Sequence, residues 1–173
     1  MATKTLNNEL MLNIATEEAW KKLSSEFSWS ETMLEKFQDK VNWDEISENR
    51  NIRWTIPMIQ KFQEKINWDK FSDSADKDIL TEGIIEAFKD KWNWHNLSRN
   101  WGLPMTDELL EKYADRWDWG QIIDCFYDFY AQRAVELYER FKDYIPVSKL
   151  QDTFLWKKIV EQRAMQLIEE ITA

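Results

Sequence analysis

Val41-Asn42-Trp43-Asp44-Glu45-Ile46-Ser47 returns as Ile66-Asn67-Trp68-Asp69-Lys70-Phe71-Ser72 and again as Trp92-Asn93-Trp94-His95-Asn96-Leu97-Ser98. Its last return, Trp117-Asp118-Trp119-Gly120-Gln121-Ile122-Ile123, has lost the Ser. Trp43, Trp68, Trp94 and Trp119 stand 25, 26 and 25 residues apart. A fixed period of this length is the mark of a tandem array in which each unit is one supersecondary element. Trp20-Lys21-Lys22-Leu23-Ser24 reads as a degenerate earlier copy.

The agreement extends upstream. Ser30, Thr55, Thr81 and Thr106 lie thirteen residues before the four Trp, each preceded by an apolar residue: Trp29, Trp54, Leu80 or Met105. The pairs Met33-Leu34, Met58-Ile59, Ile84-Ile85 and Leu109-Leu110 follow, then Phe37, Phe62, Phe88 and Tyr113. Lys40, Lys65, Lys91 and Arg116 sit three before the Trp. A Ser or Thr ahead of apolar residues at helical spacing predicts an N-cap, since its oxygen accepts from an orphan N–H of the first turn. Pro57 fits a first turn, where a missing N–H costs little. Asn42, Asn67, Asn93 or Asp118 caps a second, shorter helix, and Asn42 with Glu45 has capping-box spacing. Asn49 and Asn100 suit a helix end or a left-handed turn.

Each copy is therefore a helix, a turn and a shorter helix. One pair cannot enclose its own aromatic face, whereas stacked neighbours can. The predicted fold is all-α: a short α-solenoid of about four two-helix repeats, whose core includes Trp43, Trp68, Trp94, Trp119, Phe37, Phe62, Phe88 and Tyr113. Trp92 and Trp117 replace Val41 and Ile66 and are expected to be buried. The organisation divides as 1–26, an N-terminal helical cap or degenerate repeat; 27–125, the four repeats; and 126–173, a C-terminal helical hairpin, all in one compact unit. The hairpin is expected from about Gln121 to Ile171, with the stripe Phe126, Phe129, Tyr130, Ala134, Leu137 and Phe141 in its first helix. Tyr144-Ile145-Pro146 ends that helix, and Ser148 with Gln151 is expected to open the next.

Composition agrees. Of 173 residues, 43% are hydrophobic and 32% charged, and eleven are Trp, which excludes a disordered chain. Three Gly and three Pro are too few for a turn-rich β-sandwich or barrel. The formal charge is −9, with 13 basic against 20 acidic residues between 27 and 125. That argues against direct binding of nucleic acid or an anionic membrane. The polar opening Met1–Asn8 and the short apolar run Leu10–Ala15 do not form a signal peptide, and no window approaches a membrane span. A single Cys fits a reducing compartment, so a soluble, cytoplasmic protein is expected.

The sequence holds little chemistry. Gly83, Gly102 and Gly120 make no phosphate loop, and H-E-x-x-H, C-x-x-C and G-x-S-x-G are absent. His95, in the place of Asp44 and Asp69, reads as a solvated helix residue, and Cys125 as a small semi-buried side chain. No catalytic residue, no metal ligand and no cofactor is assigned, and no enzyme is expected. Trp101 is the exceptional aromatic. Its equivalents are Arg50 and Ala75, in loops between repeats, so the pattern does not require its burial. Trp101 and the loop residues Arg50, Arg53 and Arg99 are the candidate partner contacts.

The phrase W-N-W-x-x-L-S-x-N, here Trp92 to Asn100, resembles tandem Trp-rich repeats in proteins of gut Bacteroidetes, of their mobile elements and of large DNA viruses. The resemblance runs from about Phe27 to Asp124 and implies helical repetition; it brings no activity with it. The expected function is a non-enzymatic protein-interaction module whose partner is another protein. The alternative is an acidic inhibitor or nucleic-acid mimic, phage-borne, that blocks the basic groove of a partner enzyme.

Overall fold

Ser30, Thr55, Thr81 and Thr106 each accept a hydrogen bond from the backbone N–H three residues on, at 3.4, 3.3, 3.4 and 3.2 Å. Each opens a short helix, as their spacing predicts. The computed structural model describes residues 2–124 and 133–173. Among them every regular element is helical, so the chain is all-α. It falls into two compact units, Met1–Asn93 and Trp94–Ala173, and the boundary lies inside the third copy of the phrase. None of the described helices is long and apolar enough to cross a membrane.

The first unit holds α1 (Ala2–Glu26), α2 (Glu31–Phe37), α3 (Trp43–Glu48), α4 (Ile56–Phe62), α5 (Trp68–Ser74) and α6 (Glu82–Ala87). The second holds α7 (Trp94–Ser98), α8 (Asp107–Lys112), α9 (Trp119–Asp124), α10 (Ala134–Phe141), α11 (Val147–Leu150) and α12 (Phe154–Thr172). The short Trp helices pack on their neighbours: α1 on α3 and α3 on α5 in one unit, α7 on α9 and α9 on the Trp-free α11 in the other.

The deepest residues are aliphatic. Leu34, Ile59, Ile85 and Leu110, the second of each apolar pair, are fully buried, as are Ile46, Leu97 and Ile122, three after their Trp. Each contributes about 1.5–3 kcal/mol by leaving water. Trp119 is buried as expected, whereas Trp43, Trp68 and Trp94 are only half-buried. At the edge of the core Trp43 and Trp68 keep their ring N–H satisfied by the carbonyls of Gln38 and Gln63 at 2.9 and 2.8 Å, and buried Trp119 donates likewise to Ala114 at 2.7 Å. Trp92 and Trp117, at the aliphatic position of Val41 and Ile66, are buried, and their ring N–H groups have no partner.

Each indole leans on a ring of the following copy. Trp20 meets Phe37 at 5.6 Å between centroids, Trp43 meets Phe62 at 5.2 Å, and Trp68 meets Phe88 at 5.6 Å. In the second unit Trp94 meets Tyr113 at 4.8 Å and Trp119 meets Phe141 at 4.8 Å. All five pairs are tilted, between 31° and 44°. In three of the copies the basic residue three before the Trp lies over the preceding indole: Lys40 over Trp20, Lys65 over Trp43 and Arg116 over Trp94, at 5.6, 5.9 and 5.5 Å. Tyr144 takes that place over Trp119 at 5.9 Å.

Phe141, Tyr144, Ile145, Val147 and Leu150 thus repeat the spacing of Phe37, Lys40, Val41, Trp43 and Ile46. The described part of the C-terminal third opens with the spacing of a further degenerate copy, α10 and α11, with Val147 in the Trp position, and α10 packs against the final helix, α12. Ser148 lies within α11 and does not open the final helix; Thr153 does, accepting from Trp156 N–H at 3.2 Å. Of the expected aromatic stripe, Phe126, Phe129 and Tyr130 lie outside the described residues, as does Cys125.

Candidate partner-binding surface

The buried Ser that closes the repeated phrase ties each copy to the next. Ser24, Ser47, Ser72 and Ser98 are at most 2% exposed. Each donates its hydroxyl to the carbonyl four residues back, of Trp20, Trp43, Trp68 and Trp94, at 2.6–2.7 Å. Each also accepts the N–H of the cap residue in the next copy: Asn42 at 2.9 Å, Asn67 at 2.9 Å, Asn93 at 3.0 Å and Asp118 at 2.9 Å. That N–H is the one a capping-box Glu takes from its own helix. Here the neighbouring copy supplies the acceptor instead.

A second tie runs along the outside. Asn67 donates to Asp44 at 2.7 Å and Asn93 to Asp69 at 2.7 Å. In the second unit the donor and acceptor sides exchange: His95 Nδ1 faces Asp118 Oδ2 at 2.6 Å. His95 is exposed, as expected, but it is paired. Ion pairs add to the ties, with Lys61 reaching Glu31 and Glu35 at 3.1 and 2.9 Å and Lys91 reaching Glu64 at 2.7 Å. The carboxylates beside Lys61 raise its pKa. Between α8 and α10, Asp107 accepts from Arg133 at 2.8 Å and Arg140 at 2.7 Å. The hydrogen bond from Arg133 holds the Asp107 carboxyl below the usual carboxylate range.

The short helices end at buried Asn residues that pin the loops. Asn49 donates to the carbonyls of Ser24 at 2.7 Å and Phe27 at 2.8 Å, and its Oδ1 accepts from Asn51 N–H at 2.8 Å. Its backbone is extended, at φ −74°, so of the two expected roles it takes the helix end and not the left-handed turn. Asn100 is buried likewise, and its Oδ1 accepts from Gly102 N–H at 2.8 Å.

Immediately after these anchors stand the candidate contacts. Trp101 is 83% exposed, between buried Asn100 and Leu103. Arg99, on the other side of Asn100, is exposed. In the first unit Arg50 and Arg53 are exposed on the loop after Asn49, and neither forms an ion pair among the described residues. Beside α1 an open cleft is lined by Glu17, Glu18, Trp20, Lys21, Lys40 and Asn42, a mixed-charge surface with no convergent group for chemistry. Among the described residues no three His, Cys, Asp or Glu are grouped to hold a metal ion. Compared with known proteins, the chain matches no family model, no curated protein and no solved structure.

Sequence reasoning had singled out Trp101 by elimination, since its equivalents are loop residues. It missed the Ser bridge and the outer Asp–Asn ties. The covariation of His95 with Asp118, where other copies pair Asp with Asn, was the signal that could have revealed the second.

Proposed function

We propose that the protein is a non-enzymatic binding module, built from coupled helical copies, that engages another protein through the loop at Trp101. One observation carries this reading: a large indole left in water on a loop held by buried Asn100 just before it and buried Leu103 two residues after it. Trp is enriched where binding energy concentrates. Asn100 fixes the loop before any partner arrives, which lowers the entropy lost on binding. Arg99, two residues before the indole, adds an exposed guanidinium to the same stretch. Arg50 and Arg53 form a secondary candidate on the first unit. Carboxylates such as Glu31, Glu35, Glu64 and Asp107 are paired with Lys or Arg of a neighbouring copy, which reduces the negative surface open to a basic groove and favours this reading over imitation of a nucleic acid.

The test is capture from the native cell with the full chain as bait, followed by identification of retained proteins. Trp101→Ala should change stability by less than about 0.5 kcal/mol, as expected for an exposed site. It should weaken the retained partner by about 2 kcal/mol or more, roughly thirtyfold. A partner bound equally well by Trp101→Ala refutes the assignment. Association that collapses between low and moderate salt points to the acidic-inhibitor alternative.

A further inference from the structure

Beyond its first turns, α12 has no cover among the described residues. Leu155 is fully buried, but every residue from Val160 to Ala173 is exposed. Within that stretch Val160, Ala164, Leu167 and Ile171 recur at steps of four, three and four, which is the seam of a two-stranded coiled coil. Met165 and Ile168 widen it, at 60% exposure each. A lone helical segment of this length, about 20 Å, is marginal in water. Such a contiguous apolar stripe marks an interaction surface.

The charges select the occupant. The segment 157–164 carries Lys157, Lys158 and Arg163 against Glu161, whereas 165–172 carries Glu169 and Glu170 alone. The helix is basic at one end and acidic at the other, so it complements itself when reversed. We infer that α12 pairs antiparallel with α12 of a second copy of the chain. In this register Val160 meets Ile171 of the second copy, and Ala164 meets Leu167. Arg163 and Glu170 flank the seam on one side and lie opposite each other twice across the two-fold axis. Within one chain these two side chains already approach to 3.2 Å, so the pair needs only to change partners. A parallel arrangement sets Lys157 against Lys157 and leaves Arg163 without an acidic partner. The opposed helix dipoles favour the antiparallel form as well. This inference does not depend on the Trp101 surface, which lies on another element.

Sedimentation of the full chain over about 1–100 µM tests it, a range suited to an interface of modest area. A reversible dimer is expected. Leu167→Glu should raise its dissociation constant at least about tenfold while the helical melt stays unchanged. Leu12→Glu, on the exposed face of α1, should leave the dimer intact. Arg163→Glu should weaken association and Arg163→Glu/Glu170→Arg restore it. In a Cys125→Ser background, Ala164→Cys chains should cross-link to Leu167→Cys chains and not to themselves. A monomer throughout the range, a dimer indifferent to Leu167→Glu, one abolished by Leu12→Glu, or self-linking of Ala164→Cys overturns the inference.

Discussion

Replacing Ser47 by Ala separates two accounts of the buried Ser by the sign of its effect. Ser47 sits in α3 and bonds back to the Trp43 carbonyl at 2.6 Å. On local grounds alone, Ala should stabilise the protein: it is the better helix former by about 0.5 kcal/mol, and such back-bonding does little for a helix. The structure adds the Asn67 N–H, which donates to the same hydroxyl at 2.9 Å. Removing the oxygen leaves that amide without an acceptor in a site where Ser47 is 2% exposed, at a cost of about 1–3 kcal/mol. The net expectation is a loss of about 1–2 kcal/mol, a sizeable part of a typical total of about 5–15 kcal/mol. Urea unfolding followed by circular dichroism measures it, with Ser25→Ala, an exposed back-bonded Ser, as the control. Hydrogen exchange should show the Asn67 amide losing protection. A neutral or stabilising Ser47→Ala would refute the coupling of copies through this hydroxyl.

Other consequences are equally open to measurement. His95→Asp sets a carboxylate against Asp118 and should cost about 0.5–1 kcal/mol in urea unfolding, while His95→Asp/Asp118→Asn should recover it by recreating the Asp–Asn tie of the first unit. Because its folded-state pKa is lowered, Asp107 contributes stability that is present above its unfolded value of about 3.9 and lost as pH falls through the folded value. Asp107→Asn should therefore flatten the fall in melting temperature below about pH 4, and an unchanged acid profile would dismiss the bridge between α8 and α10. Trp68→Phe should cost at least about 1 kcal/mol more than Trp92→Phe, since Trp68 loses a hydrogen bond to Gln63 and Trp92 loses only an unpartnered N–H.

Much of the fold was legible because helix starts depend on local chemistry. Ser30, Thr55, Thr81 and Thr106 cap helices wherever they stand before an apolar helical face, and the paired aliphatics after them go to the core. The location of the indoles was harder to read. Their period shows that they repeat, but a Trp with a hydrogen-bonded N–H is content at the edge of a core, and Trp43, Trp68 and Trp94 sit there. The degenerate copy at α10 and α11 escaped notice because Val147 replaces the residue by which the others are recognised. Thr153 and Ser148 are both plausible caps, and only packing chose between them. For the candidate surface, the loop position of Trp101 left its exposure open: its equivalent Arg50 is exposed, whereas its equivalent Ala75 is buried. The anchoring of that loop by Asn100 depends on backbone groups that no side-chain pattern encodes.

The exchanged polarity at His95 and Asp118 gives the copies an order, as matching edges do for tiles. Asp44 and Asp69 both end in an acceptor, and Asn67 and Asn93 both begin with a donor, so the stretch 67–92 is a cassette whose loss would still bring Asp44 to Asn93 as a proper match. Excising 93–117 would bring Asp69 against Asp118, two acceptors with no proton between them. Lengthening or shortening of this chain by whole units therefore keeps the outer tie at one junction and loses it at the next, unless a second substitution arrives with it.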